Sequence, residues 1–302
     1  MTDTTEPEHD VETDPDSPVI GDICEGVLDE LEAVGSRKGD VLTGLETGFS
    51  ELDYLTRGLE QGSLTVIASR PAMGRTTMLS DIARHNAVKN SIPTLVFTLE
   101  ESRHSFTRRV IAAESRVAIH HMRSGTMTEE DWTRLARKIP AVSGSPLFIR
   151  DAARVDMRLI QLESAERMER SDVRLVCIDG VQDIRPEKRS DLREREVGDV
   201  VRDLKTMARE LNVPVVVTSH LNRSPEQRPD KVPRLDDLRE SGAITFASDT
   251  LIMLHREDAY ERESPRAGEA DLIVAKHRHG RTAVITVAHQ GHYGRFVDMV
   301  QT

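Results

Sequence analysis

The stretch Leu64-Thr-Val-Ile-Ala-Ser-Arg-Pro-Ala-Met-Gly-Arg-Thr-Thr77 decides the fold. Leu64 to Ala68 has the length and apolar content of a buried strand, and Met78 to Val88 carries a helical pattern. Ser69 to Thr77 is then a loop between strand and helix, which turns backbone N–H groups and the positive helix end toward an anion. Against the phosphate-loop pattern G-x-x-x-x-G-K-[ST], Gly74 and Thr76 are kept, while Ser69 and Arg75 stand at the other two positions. Gly74 lets the backbone approach phosphates, and the Thr76 hydroxyl suits Mg²⁺. Taken alone, the stretch fits an ordinary strand–turn–helix connection equally well, so the rest of the chain has to decide.

The 302 residues suffice for one large domain or two modest ones. Charged residues make up 31%, and no apolar run approaches the ~20 residues of a membrane span. The N-terminus lacks a basic-then-apolar secretory signal. Cys24 and Cys177 lie far apart, which fits a reduced cytoplasmic interior better than a disulfide framework. The net charge of −11 is uneven, because residues 1–18 hold seven acids and no Lys or Arg. That tail is too polar to pack and is expected to be disordered. A globally acidic chain argues against indiscriminate duplex binding, yet a local basic lining suffices for a single strand.

From Val19 to Val34, Ile20, Ile23, Val27, Leu28, Leu31 and Val34 recur at helical spacing, and Gly35 to Asp40 ends the helix. Residues 19–40 therefore form a helix and loop ahead of a domain spanning 41–302. The helix buries its stripe either on that domain or on a neighbouring subunit. Strand candidates follow at Leu64–Ala68, Thr94–Thr98, Leu175–Ile178, Val213–Thr218, Thr250–Leu254, Leu272–Ala275 and Ala283–Val287. A long helix runs through Val197, Val200, Val201, Leu204, Met207, Ala208 and Leu211. The alternation predicts an α/β fold, a mainly parallel twisted sheet with helices on both faces and an antiparallel C-terminal edge.

Several strand ends carry chemistry. Asp179 closes Leu175-Val-Cys-Ile-Asp179, where a carboxylate beside a phosphate loop serves as a Mg²⁺ anchor, although a turn-opening Asp is common. Glu100, followed by Glu101, lies past Thr94–Thr98 and suits a water-activating base; a helix-start acid is the plain alternative. His220 ends the strand through Val213 and could sense a γ-phosphate, though lone histidines are more often structural. Lys276 and Arg278 follow an apolar strand; in an oligomer they would reach a neighbour's nucleotide, and in a monomer they are a solvated turn.

In order along the chain, these segments resemble the C-terminal motor domain of replicative DnaB-type helicases, a hexameric RecA-like P-loop ATPase family. The resemblance covers about Ile20 to Asp298. It rests on Thr43-Gly-Leu-Glu-Thr-Gly48, Arg70-Pro-Ala-Met-Gly74, Ser124-Gly-Thr-Met-Thr-Glu-Glu-Asp-Trp132 and Glu210-Leu-Asn-Val-Pro-Val215. Most specific are Leu221-Asn-Arg-Ser224 and Asp237-Leu-Arg-Glu-Ser-Gly242, which no packing rule would generate. The resemblance implies ATP-driven 5'-3' movement along single-stranded DNA in DNA replication, by a ring. It implies that Ser69, Arg70, Pro71, Ala72, Met73, Gly74, Arg75, Thr76 and Thr77 hold ATP, and that Thr76 and Asp179 hold Mg²⁺. Glu100 then activates water, and Lys276 and Arg278 act on the adjacent subunit's nucleotide. The segment Arg239, Glu240, Ser241 and Gly242 lines the DNA channel. The helix at 19–34 corresponds to the family's linker helix, which docks on a neighbour.

Three departures surround the nucleotide. Arg75 replaces the family's lysine, His220 its glutamine sensor, and Gly180 the aromatic after the Asp. A guanidinium is larger and planar where an ammonium is compact, so transition-state stabilisation is expected to suffer. The family's N-terminal domain is not found ahead of the linker helix, so a complete stand-alone helicase is not expected. Two readings follow. One is a homo-hexameric helicase motor with weakened hydrolysis; the other is a non-catalytic nucleotide-binding paralogue that co-assembles with an active helicase.

Overall fold

The computed structural model describes residues 19–36, 42–152, 155–186, 190–238 and 241–299. The chain divides into two units, Met1–Val41 and Leu42–Thr302. In the first, Ile20–Ser36 is an amphipathic α-helix, α1, with Ile20, Ile23, Val27 and Leu31 on one face. The expected acidic tail at 1–18 lies outside the described residues.

The second unit is built on a nine-stranded sheet. Its strands are β1 (Leu64–Ser69), β2 (Thr94–Thr98), β3 (Leu147–Asp151), β5 (Leu175–Asp179), β7 (Val215–His220), β8 (Thr250–His255), β9 (Glu269–His277), β10 (Ala283–Gln290) and β11 (Arg295–Asp298). Two short strands, β4 (Val155–Asp156) and β6 (Ile184–Arg185), pair in a separate ribbon. The order is β11-β10-β9-β8-β1-β7-β5-β2-β3. Pairing is parallel from β8 through β3 and antiparallel from β8 to β11, as the alternation predicted.

All six residues of β1 are buried, because helices cover both faces of the sheet. Leu64, Val66 and Ala68 pack with α7 (Met157–Ser171) and α8 (Arg193–Glu210). Ile67 packs on the other face with α3 (Arg75–Arg84), α4 (Arg103–Ser115) and the antiparallel edge. Burying a residue such as Ile67 contributes about 2 kcal/mol. One buried anion pins the strand's start. Asp249 accepts from the Leu64 N–H at 2.8 Å, from Lys205 Nζ at 2.6 Å and from Arg278 at 3.1 Å.

Some boundaries move for local reasons. The helix after the loop begins at Arg75 rather than Met78, since Met78 N–H already donates to Gly74 O. It continues into a π-helical turn, His85–Lys89. The β7 strand starts at Val215 rather than Val213, because Pro214 has no N–H and Val213 N–H caps α8 through Ala208 O. The remaining helices are α2 (Ser50–Thr56), α5 (Ile119–Ser124), α6 (Glu129–Ser143), α9 (Ser224–Gln227) and α10 (Ser241–Ala247).

Candidate active site

The strand order brings four C-terminal ends together. Ser69 of β1 pairs with His220 of β7, and Thr98 of β2 pairs with Asp179 of β5. A cavity of about 420 Å³ opens there, lined by the loop from Ser69 to Thr77 (Met73 excepted) together with Glu100 and His220. The loop is conformationally demanding: Ala72 has φ +66° and Gly74 φ +106°. A Cβ on Gly74 would lie 2.7 Å from the Phe296 ring, so no larger residue fits without displacement. Met73 departs from the others, because its side chain is buried in the core and only its backbone belongs to the loop. Arg70 turns aside to Glu226 of α9 at 2.7 Å and to Leu221 O.

Arg75 opens α3 with its side chain only 8% exposed. Its Nη2 donates to both Glu100 oxygens, at 2.6 and 2.8 Å, and its Nη1 lies 2.7 Å from His220 Nδ1. The His220 Nε2 is 3.3 Å from Glu100 Oε1. A neutral imidazole has one donor and one acceptor. The tautomer that satisfies both neighbours accepts at Nδ1 from Arg75 and donates from Nε2 to Glu100. Arg75 Nη2 also approaches Nε2 at 2.8 Å, a close contact with a donor on each side. The His220 hydrogen bond, aided by the Arg75 charge, holds the Glu100 carboxyl below its usual range although burial opposes this. Three positions that depart from or carry the family's chemistry are thus one interlocked group.

The metal-binding candidates form a second group. Thr76 Oγ1 donates to Asp179 Oδ1 at 3.2 Å, and Thr218 Oγ1 donates to the same oxygen at 2.8 Å. Asp179 Oδ2 is buried without a partner. Burial pushes the Asp179 carboxyl up to about 6. An orphaned carboxylate oxygen beside a threonine hydroxyl fits Mg²⁺, a hard cation that takes one or two protein oxygens and otherwise phosphates and water. Among the described residues no cluster of three or more His, Cys, Asp or Glu would hold a metal unaided.

Gly180 keeps these groups apart. Its φ is +108°, its N–H donates to Thr218 Oγ1, and a Cβ there would lie 2.6 Å from Asp183 Oδ2 and 3.2 Å from Glu100 Cγ. An aromatic residue at this position would displace Glu100. Of the two neighbouring acids, Glu100 enters the cavity, while Glu101 pairs with Arg109 at 3.2 Å.

Several site residues carry no motif and escape a reading of the sequence. Arg109 of α4 lines the cavity and lies 3.4 Å from Thr77 Oγ1. Arg256 reaches Ala72 O, and His289 of β10 lines the same wall. Burial, with Arg256 nearby, pushes His289 down to about 4, so it is neutral. Gln182 ties the ends together by donating to Ser219 Oγ and accepting from His220 N–H.

Lys276 and Arg278 do not line this cavity. Lys276 donates to the Thr245, Phe246 and Ser248 carbonyls at the end of α10, and Arg278 pairs with Asp249. Of the DNA-contact candidates, Arg239 and Glu240 lie outside the described residues, and Gly242 is exposed in α10 with open space around it.

A parallel sheet with a phosphate loop at its central strand, a strand-end Asp and a Glu past the adjoining strand define a RecA-like ATPase core. The chain belongs to the DnaB-like helicase C-terminal domain family, whose model matches residues 44–298. It is 46% identical to the replicative DNA helicase DnaB of Leifsonia xyli subsp. xyli over 272 residues, 90% of this chain and 59% of the relative. It is 44% identical to that of Mycobacterium leprae over 225 residues, 74% of this chain and 37% of the relative. Among solved structures, a DnaB-like replicative helicase described with its interactions with primase matches with a TM-score of 0.85 and 33% identity, covering 91% of this chain and 66% of that one. A solved ATPase domain matches with a TM-score of 0.87 and 32% identity, covering 93% and 98%. The chain spans about half the length of the curated relatives it matches.

Proposed function

We propose that the chain is an ATP–Mg²⁺-dependent motor that assembles as a ring, translocates 5'-3' on single-stranded DNA in the cytoplasm, and unwinds duplex. Its hydrolysis is restrained by Arg75. The observation that carries this reading is the placing of Thr76 and Glu100 on one cavity, with Asp179 buried behind Thr76 and hydrogen-bonded to it, and Arg75 bound to Glu100. Bound Mg²⁺ would neutralise phosphate charge and orient the γ-phosphoryl group for in-line attack. Thr76 and Asp179 would hold that ion. The loop N–H groups and the α3 N-terminus bind the phosphates.

Arg75 has two competing anions within reach, Glu100 and the nucleotide. While it grips Glu100, the His220 hydrogen bond and the Arg75 charge together keep the carboxylate a weaker base toward a proton of water. A γ-phosphate draws the guanidinium away and leaves Glu100 hydrogen-bonded to His220 alone. Arg75 then does two jobs, phosphate binding and release of the base. Lys276 and Arg278 would act across a subunit boundary on a neighbour's nucleotide, and Arg239 with Glu240 and Gly242 would contact the DNA backbone.

The bidentate Arg75–Glu100 pair also favours a second reading, a regulatory subunit that binds nucleotide without turnover and co-assembles with an active helicase. Phosphate release by the purified protein with single-stranded DNA separates the two. Turnover that vanishes in Glu100→Gln supports the motor. Absence of turnover, with ATP still bound, supports the regulatory subunit.

A further inference from the structure

A second cavity, of about 370 Å³, lies away from the nucleotide site. Seven of its nine lining residues are Arg or Lys and only Glu114 is acidic, on a chain whose net charge is −11. Helix ends explain part of this. Arg84 lies in the last turn of α3, Lys89 in the π-helical turn that follows, and Arg116 caps α4, positions where the helix dipole favours cations. That account does not reach Arg134, Arg137 and Lys138, which project from the middle of α6, or Arg295 on β11.

The local acids do not neutralise the group. Glu114 is taken by Arg84 at 2.6 Å, and Asp81 by Arg84 at 2.8 Å. Asp131 and Glu130 pair with Arg134 at 2.7 and 3.8 Å, and the Arg134 Nε stays buried without a partner. Arg295 bonds only neutral acceptors, Gln290 Oε1 and Ala113 O, and burial together with the Arg116 and Arg84 charges pushes its guanidinium down. Lys89, Arg116, Arg137 and Lys138 form no ion pair among the described residues. Concentrating like charges without counter-charge is unfavourable unless an anion sits among them.

We propose that this cavity binds a small molecule bearing three or more linked phosphates, such as an inorganic oligophosphate. Arginine forks match phosphate oxygens in pairs, which favours phosphate over isolated carboxylates. The volume is that of a small-ligand pocket, not the long track a nucleic acid strand requires. The site also sits at the far end of the helix that begins at the phosphate loop. Arg84 grips Asp81, Asp81 accepts from Phe296 N–H at 2.7 Å, and the Phe296 ring lies under Gly74. Occupancy that draws on Arg84 acts on a chain of contacts ending at the nucleotide.

Tripolyphosphate titrated calorimetrically into the full chain, with the phosphate loop first saturated by ADP–Mg²⁺, tests the proposal. One saturable site per chain is expected. Arg116→Glu with Arg137→Glu and Lys138→Glu, all exposed positions, should weaken it by about tenfold or more per reversed charge while ADP binding and the circular dichroism spectrum stay unchanged. The single Arg137→Ala, safer for folding, should weaken it by about tenfold. Absence of saturable binding to the wild type, or undiminished affinity in the variants, overturns the proposal. So does a parallel loss of single-stranded DNA affinity in the variants, which would assign these cations to a nucleic acid track.

Discussion

Arg75 Nη2 and the Glu100 carboxylate form a two-oxygen contact, at 2.6 and 2.8 Å, across the mouth of the phosphate loop. The residue at the lysine position of the loop is thereby joined to the residue proposed to activate water. A change at either side chain therefore alters the surroundings of the other.

Arg75→Lys should raise turnover. An ammonium is a compact point charge that reaches phosphate oxygens but lacks the second nitrogen with which Arg75 holds His220 and Glu100 at once. Freeing the base by about 1.4 kcal/mol corresponds to about a tenfold gain in the rate of phosphate release. Steady-state phosphate assays with single-stranded DNA measure it. An unchanged rate would locate the restraint at His220 instead.

His220→Gln tests that second position. Glutamine can still donate to Glu100 but offers Arg75 a flexible amide oxygen in place of a rigid ring nitrogen. Combined with Arg75→Lys it should raise turnover beyond the lysine variant alone. A purely additive pair would show that the three side chains are not coupled, since groups in direct contact normally deviate by about 0.5 kcal/mol or more.

Acid should weaken Mg²⁺ binding. Burial lifts the Asp179 carboxyl to about 6 from its ordinary 3.8. Below about pH 6 the proton competes with the ion, so affinity for Mg²⁺ should fall about tenfold per pH unit. The sign for the metal-free fold is opposite. An acid whose folded value is raised loses stability as pH climbs from about 4 to 6, and Mg²⁺–ATP restores it above that range. Melting curves with and without Mg²⁺–ATP at pH 5 and pH 8 should therefore differ far more at pH 8.

Gly180→Ala should destabilise the fold by about 1–3 kcal/mol, from the left-handed backbone and the clash with Asp183. Thermal melting reads the loss. The same substitution presses on Glu100 Cγ, so turnover should change by more than stability alone accounts for.

Asp249→Ala should cost roughly 3 kcal/mol, because it leaves Lys205 and the Leu64 N–H without their shared acceptor. Arg278 is released by the same change, so a gain in its mobility should accompany the lower melting temperature.

The interior strands were legible because both of their faces are covered. Leu64 to Ala68 is apolar apart from Thr65, and β2 and β5 contain the apolar runs Leu95–Phe97 and Leu175–Ile178, all buried. At the sheet's edge that signal fades. β3 carries Arg150 and Asp151 and is only half buried, and β11 is four residues long with Arg295 and Asp298 at its ends. Arg75, Glu100, Asp179 and His220 could each be picked out from strand ends. Their mutual contacts could not, since those depend on β7 lying between β1 and β5, an order that sequence spacing does not encode. Arg109, Arg256 and His289 arrive from a helix and from the antiparallel edge, where no local pattern distinguishes them from other surface cations and histidines.

Titration of the purified chain with labelled ATP and Mg²⁺ tests most directly whether this altered loop holds a triphosphate. In the Arg116→Glu, Arg137→Glu, Lys138→Glu variant, whose second basic cavity is discharged, one saturable site per chain is expected, weakened by Thr76→Ala and by removal of Mg²⁺. No saturable uptake at millimolar nucleotide would contradict the assignment and leave a RecA-like scaffold without a nucleotide to drive it.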